Sequence, residues 1–270
     1  MEINRNNINE IISNASLKPD KDYGQNFLLE PLICQKIVDA LSINQDDSIL
    51  EIGPGLGSLT HFLSLYENNQ KTIVDIDSRM IDFLKVIYQK TNINFILNDI
   101  RKVDVSTYTK IIGNLPYNIT TELVTYLLKN AVHATKIVLM CQQEAFNRFF
   151  DLEGKEYGPV SILVHLLGSS KKLFSVKAGC FYPVPKCGSL VFEITFDGGI
   201  DRKTALETYE LSKKLFLNRR KTIYNNLSAY LNDKDKAMNV LNELNIGSNL
   251  RPEQIKPKQF LKINQLIKSI

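Results

Sequence analysis

The sequence predicts an α/β protein: a doubly wound, mostly parallel sheet over residues 23–199 with a smaller α-helical domain over 200–270. Three observations predict it. Short strand-like and helix-like segments alternate over about 100 residues. The strand segments are apolar without interruption, as strands covered by helices on both faces must be. A turn-like break, Asp197-Gly-Gly-Ile200, precedes a stretch that reads as helix throughout, and the domain boundary is placed there.

The elements follow in order. Residues 31–42 read as a helix with Pro31 in its first turn. Ser48-Ile-Leu-Glu-Ile52 is a strand running into Gly53-Pro-Gly-Leu-Gly57, and 58–66 is helix. Strand 71–75 precedes helix 78–90, strand 93–97 comes third, and strand 110–113 precedes helix 120–130. A fifth strand, 135–140, is followed by helix 142–150, and 173–177 with 189–195 read as a closing hairpin. Residues 1–22 are polar and Asn-rich and are set aside as an N-terminal arm.

Composition narrows the class. With 44 % hydrophobic residues the chain can fill a full core. It has no apolar run of transmembrane length, and its N-terminus lacks the apolar stretch of a signal peptide, so a cytoplasmic protein without membrane contact is expected. Cys34, Cys141, Cys180 and Cys187 form no close pair, and His61, His133 and His165 are scattered. Reduced thiols and no metal site are therefore expected. Charge is uneven. Residues 201–270 hold 14 Lys/Arg against 7 Asp/Glu, a net of +7, whereas 1–200 are net −3. A basic C-terminal portion on a mildly acidic body suits a polyanionic partner.

The first strand–loop–helix carries the most chemistry. In an open parallel sheet, ligands bind beyond the C-terminal strand ends, where Gly53 and Gly55 let backbone approach closely. The spacing is G-x-G-x-G, not the G-x-G-x-x-G of a dinucleotide site. Asp75 ends the second strand, where a carboxylate can accept both hydroxyls of a ribose. Asp99 follows the third strand and can accept from an adenine amino group. Glu51 would be costly to bury unpaired and is expected to face the ligand's amino-acid end or the loop after it.

Gly113-Asn114-Leu115-Pro116-Tyr117 follows the fourth strand. The exocyclic nitrogen of adenine is a poor nucleophile, because its lone pair is delocalised into the ring. The Asn114 side-chain oxygen and a main-chain carbonyl before Pro116 could draw its N–H bonds out of plane, and Tyr117 offers a stacking face.

At this point the chain resembles the bacterial small-subunit ribosomal RNA adenine N6-dimethyltransferases, from about Tyr23 to the C-terminus. The resemblance rests on Gly24-Gln-Asn-Phe-Leu28, Glu51-Ile-Gly-Pro-Gly-Leu-Gly-Ser-Leu-Thr60, Asn114-Leu-Pro-Tyr-Asn-Ile119, Phe181-Tyr-Pro-Val-Pro-Lys186 and Asn218-Arg-Arg-Lys-Thr-Ile-Tyr-Asn-Asn-Leu227. It implies a Rossmann-like class I methyltransferase sheet using S-adenosylmethionine and releasing S-adenosylhomocysteine. By that resemblance Asn26, Leu28, Gly53, Asp75, Asp99 and Asn114 bind the donor, with Gln25, Gly55, Ile76 and Ile100 beside them. Phe181 is implied to sandwich the target base against Tyr117. Asp75 stands where the family usually has Glu, and Cys187-Gly188 where it usually has Val-Asp. The implied reaction is dimethylation of two adjacent adenosines near the 3′ end of 16S ribosomal RNA, within the pre-30S particle, by a monomer.

Lys213, Lys214, Arg219, Arg220 and Lys221 cluster on a stretch predicted helical over 205–230, with Asn225 and Asn226 just beyond. Lys213 and Arg220 are seven apart, as are Lys214 and Lys221, so each pair should project alike on one helix. Arg219, Arg220, Lys221, Asn225 and Asn226 are the candidate RNA contacts. Three alternatives stand beside this reading. The large-subunit methyltransferases of macrolide resistance share the donor fold but usually carry Asn-Ile-Pro-Tyr and lack the Arg-Arg-Lys-Thr run. A ribosome-assembly or transcription factor could retain the fold without activity. A nicotinamide dehydrogenase fits neither the glycine spacing nor any hydride-transfer site.

Overall fold

The computed structural model describes residues 1–15, 17–20, 23–116 and 119–269. Two compact units emerge, Met1–Phe146 with Lys171–Thr195, and Asn147–Ser170 with Phe196–Ile270. The elements run α1 (Ile8–Asn14), β1 (Phe27–Leu28), α2 (Pro31–Asp39), β2 (Ser48–Ile52), α3 (Ser58–Leu63), β3 (Gln70–Asp75), α4 (Ser78–Ile87), β4 (Ile93–Leu97), β5 (Lys110–Asn114), α5 (Thr120–Asn130) and β6 (Lys136–Gln142). After them come α6 (Gln143–Phe150), α7 (Pro159–Leu167), β7 (Gly168–Val176), β8 (Phe181–Tyr182), β9 (Ser189–Phe196), α8 (Arg202–Leu215), α9 (Ile223–Leu231), α10 (Lys234–Glu243) and α11 (Pro257–Ser269).

A seven-stranded sheet in the order β4-β3-β2-β5-β6-β9-β7 organises the first unit. Strands β2 to β6 pair in parallel, and β9 runs antiparallel to β6. Ile49, Leu50, Ile73, Val74, Ile111, Ile112, Val138 and Leu139 are all buried, as the uninterrupted apolar runs require. The register matters for function. Ile52 stands opposite both Val74 and Gly113, and Asp75 opposite Leu97. The loop after β2, Asp75, Asp99 and Asn114 therefore emerge along one sheet edge. The strand order reverses between β2 and β5, which opens a crevice at their C-terminal ends.

Residues 1–22, read as an arm, are in their described part a packed segment of this unit. Ile3, Ile8 and Leu17 are buried in a cluster with Phe27, Leu29, Leu56 and Met80. Few apolar residues in a polar stretch suffice once each lands on that cluster. Strand β1 pairs antiparallel with β8, Leu28 facing Phe181, and the Leu29 N–H donates to the Cys180 carbonyl at 2.8 Å.

The second unit begins earlier than the break at residue 197 suggested, because it takes 147–170 as well as 196–270. Helix α7 has no counterpart in the sequence reading. It is apolar nearly all round, so no amphipathic stripe marks it, and it packs against α8 and α11. The Phe216 ring lies 5.9 Å from Tyr157 and 5.7 Å from Phe260 in this unit's core. The continuous helix expected over 205–230 is instead two helices. Helix α8 stops at Leu215, and α9 starts afresh behind Thr222, whose side chain accepts from the Asn225 N–H at 3.2 Å. No helix among the described residues is long and apolar enough to cross a membrane.

Candidate active site

The loop after β2 is shaped by its glycines. Gly53, Gly55 and Gly57 all have positive φ, and two of them are also crowded. A Cβ on Gly55 would lie 2.8 Å from the Phe27 ring, and one on Gly57 2.6 Å from Leu84. The loop thereby exposes main chain to a cavity of about 250 Å³. Glu51, Gly53, Gly55, Asp75, Ile76, Asn114, Leu115 and Pro116 line it, as do Gln25, Asn26 and Leu28. A second cavity, of about 100 Å³, shares Gly53, Asp75, Ile76 and Pro116 with the first and adds Asp99, Ile100 and Arg101. One crevice thus runs from the end of β2 past β3 to β4.

Two largely buried carboxyl groups line its larger cavity. Glu51 is buried, with Oε2 accepting from the Thr60 hydroxyl at 2.7 Å and Oε1 buried without a hydrogen-bond partner. Burial pushes its carboxyl up to about 8. Asp75 is pushed up to about 6, again chiefly by burial, although the Asp77 N–H donates to it at 2.9 Å. Among the described residues, none that lines the larger cavity is Lys, Arg or His. The orphaned Glu51 oxygen and the Asp75 carboxyl on the wall of the larger cavity suit a ligand that brings hydrogen-bond donors or positive charge.

The acceptor side stands beside it. The Asn114 amide nitrogen donates to the Asn26 carbonyl at 3.0 Å, while the Asn26 side chain donates to the Gly24 carbonyl at 3.0 Å. The Leu115 N–H is anchored on the Met140 carbonyl at 3.0 Å, which fixes the chain just before Pro116. A Cβ on Gly113 would meet the Ile52 carbonyl oxygen at 2.6 Å, so β5 brings Asn114 close against β2. Tyr117 lies outside the described residues.

Gln25 is tied to its surroundings. Its side chain donates to Asp77 at 2.8 Å and accepts from the Asp20 N–H at 2.9 Å. Burial pushes the Asp77 carboxyl up, but hydrogen bonds from Arg79 and Gln25 outweigh that and hold it below the ordinary carboxylate range. Asp77 has no place in the sequence reading; in the structure it also caps α4, accepting from the Arg79 N–H at 3.0 Å. Asp99 caps the short turn Ile100–Lys102 and is bound through both oxygens by Arg101, which keeps it below the usual carboxylate range. Phe181, expected as an open face for the base, is only 2 % exposed and packs in the cluster of Leu28, Leu59, Met140 and Val176. Its ladder position opposite Leu28 explains the burial.

In the second unit the basic run divides in two. Arg219 donates to the carbonyls of Lys155, Gly154 and Tyr157 at 2.7, 3.0 and 3.1 Å and lies over the Phe216 ring. Asn226 is buried and donates to the Asn218 and Thr222 carbonyls, both at 3.1 Å. Both hold structure. Arg220, Lys221 and Asn225 are exposed. Lys213 is not in register with Arg220, since the helix ends between them, and it pairs with Glu210 at 2.8 Å.

Residues 16–269 match the family described as ribosomal RNA adenine dimethylase. The chain is 39 % identical over 246 residues to the ribosomal RNA small subunit methyltransferase A of Malacoplasma penetrans, covering 89 % of each. It is 35 % identical to the protein of that name from Mycoplasma capricolum, over 93 % of this chain and 98 % of the other. Among solved structures, a dimethyladenosine transferase from Plasmodium falciparum superposes with a TM-score of 0.76 at 25 % identity, over 90 % of this chain and 98 % of that one.

Proposed function

The chain belongs to the ribosomal RNA adenine dimethylases, and from that premise we propose that it transfers methyl groups from S-adenosylmethionine to N6 of two adjacent adenosines near the 3′ end of 16S ribosomal RNA. The small-subunit target is supported by the names of the relatives at 39 % and 35 % identity. We place the reaction on the pre-30S particle in the cytoplasm, with the enzyme acting as a monomer.

One observation carries the reading. Asn114 is fixed by Asn26 at the C-terminal end of β5, on the wall of a cavity that also presents Glu51 and Asp75. With its amide nitrogen engaged, Asn114 offers its oxygen to the target amino group, and the Leu115 carbonyl offers a second acceptor. Two acceptors on one amino group draw its lone pair out of conjugation, and positioning supplies much of the rate. Tyr117 stacks on the base, worth about 1–3 kcal/mol. Glu51 meets the donor's amino-acid end, Asp75 its ribose and Asp99 its adenine, with Gly53, Gly55, Ile76 and Ile100 packing around them. When bound, the donor supplies an electrophilic methyl group on a positive sulfur. No strong base is required, because the methylated amino group sheds its proton readily to water. Residues 200–270, through Arg220, Lys221 and Asn225, bind the RNA backbone; the target base must be unpaired or extruded to reach the pocket.

The test is transfer of labelled methyl to unmethylated 30S particles, mapped by primer extension. Label on 16S adenosines is expected. Label on 23S RNA instead would favour the macrolide-resistance type, and binding without any label would favour a non-catalytic assembly factor.

A further inference from the structure

Arg101 occupies a position that donor binding and base positioning leave unused. Its Nε donates to Asp99 Oδ1 at 2.9 Å, its Nη2 bonds Asp99 Oδ2, and its Nη1 donates to Glu122 Oε1 at 2.7 Å. Its own main-chain N–H also donates to Asp99 Oδ1, at 3.0 Å. One side chain therefore grips Asp99 as a planar fork and hands its remaining nitrogen to Glu122. Glu122 sits in the first turn of α5, the helix that starts three residues after the Asn114–Tyr117 segment. Arg101 also lines the smaller cavity together with Asp99 and Ile100. A two-point grip fixes the plane of a carboxylate, which a lysine or a water cannot do.

We propose that Arg101 is a specificity-determining positioning residue: it sets the plane in which Asp99 accepts the adenine amino group of the donor, and Glu122 holds Arg101 in that pose from the start of α5. This deepens the reading of the crevice as a donor site and rests on it. An amino group in the Asp99 plane is recognised as a donor of a hydrogen bond. A purine with a carbonyl at that position turns an acceptor toward the carboxylate and is rejected. Loss of the Arg101 side chain leaves Asp99 held only by the main-chain N–H of residue 101 at 3.0 Å, a single contact that does not fix the carboxylate plane, so discrimination falls more than affinity.

The test uses two ligands on the intact protein, S-adenosylhomocysteine and its deaminated analogue S-inosylhomocysteine, with calorimetric dissociation constants for each. The wild type should prefer the amino compound. In Arg101→Leu that preference should fall by about fivefold, the scale of one ordinary hydrogen bond. Arg101→Lys, which keeps the charge without the fork, should restore less than half of it. Glu122→Gln should lower the preference in the same direction. The double variant should match Arg101→Leu alone, since Glu122 acts through Arg101. Melting temperatures check that all variants fold; the Arg101 contacts are half-exposed and carry little stability. A wild type that discriminates, with variants that do so equally well, overturns the proposal. A wild type that binds neither ligand removes the donor site itself, a distinguishable failure.

Discussion

The Asn114 side-chain nitrogen donates to the main-chain carbonyl of Asn26 across 88 positions of sequence, at 3.0 Å. That bond decides which way the Asn114 amide faces. Its oxygen is left for the substrate, and its nitrogen cannot be replaced by a second oxygen without setting two acceptors against each other. Asn114→Ala and Asn114→Asp should both lower kcat/KM for labelled methyl transfer by about a hundredfold or more, the scale of one lost oriented contact in a transition state. An Asp variant as active as the wild type would show that the Asn26 contact does not orient the amide.

Glu51 should impose a pH dependence on folding. Its carboxyl is pushed up to about 8 by burial, above its ordinary unfolded value, so the folded state holds the proton more tightly. The contribution of Glu51 is then fully present below its unfolded value and is lost as pH rises through about 8. Asp75 adds a decline of the same sign that ends near pH 6. In urea titrations, Glu51→Gln should be flatter than the wild type between pH 6 and 8. Parallel curves would remove Glu51 as the buried titrating group.

Asp75 should control donor affinity. A carboxyl pushed up to about 6 accepts ribose hydroxyls well only above that pH. S-adenosylhomocysteine binding should weaken as pH falls through 6, and Asp75→Asn should bind about tenfold more weakly with that dependence gone. Calorimetry at pH 5, 6 and 8 gives the comparison; an Asn variant with wild-type affinity at pH 8 would exclude a ribose role.

Gly57 tolerates no side chain. Its φ is 94°, and a Cβ would lie 2.6 Å from Leu84. Gly57→Ala should cost about 2–3 kcal/mol of stability from backbone strain and overlap together. Thermal melts monitor it, and an unchanged midpoint would mean that the loop relaxes freely.

The basic run should separate by role. Arg220→Ala with Lys221→Ala should reduce the slope of log affinity for 16S RNA against log salt by about 2, one for each lost phosphate contact, without lowering the melting temperature. Arg219→Ala should instead destabilise by about 1–2 kcal/mol, because three carbonyls of the 154–157 segment lose their shared donor. Equal effects of all three on the salt slope would contradict this division.

The sequence by itself determined the α/β class, the order of strands and helices from residue 31 through 150, and the residue types at each strand end. Uninterrupted apolar runs can be buried only in a covered sheet, and glycine and carboxylate positions are fixed by chain order. Tertiary structure decided which of those residues meet. Asn26 reaches Asn114 only because the Gln25–Leu28 segment returns to β5, and Asp77 rather than the cavity takes part of Gln25. Phe181 turned inward because its partner in the ladder is Leu28, a pairing with no local signature. Arg219 and Arg220 are neighbours of identical chemistry, and only the fold of 154–157 makes one a brace and leaves the other exposed. Helix α7 was invisible for a related reason: an element buried on nearly every side shows no periodicity, so its neighbours rather than its own pattern define it.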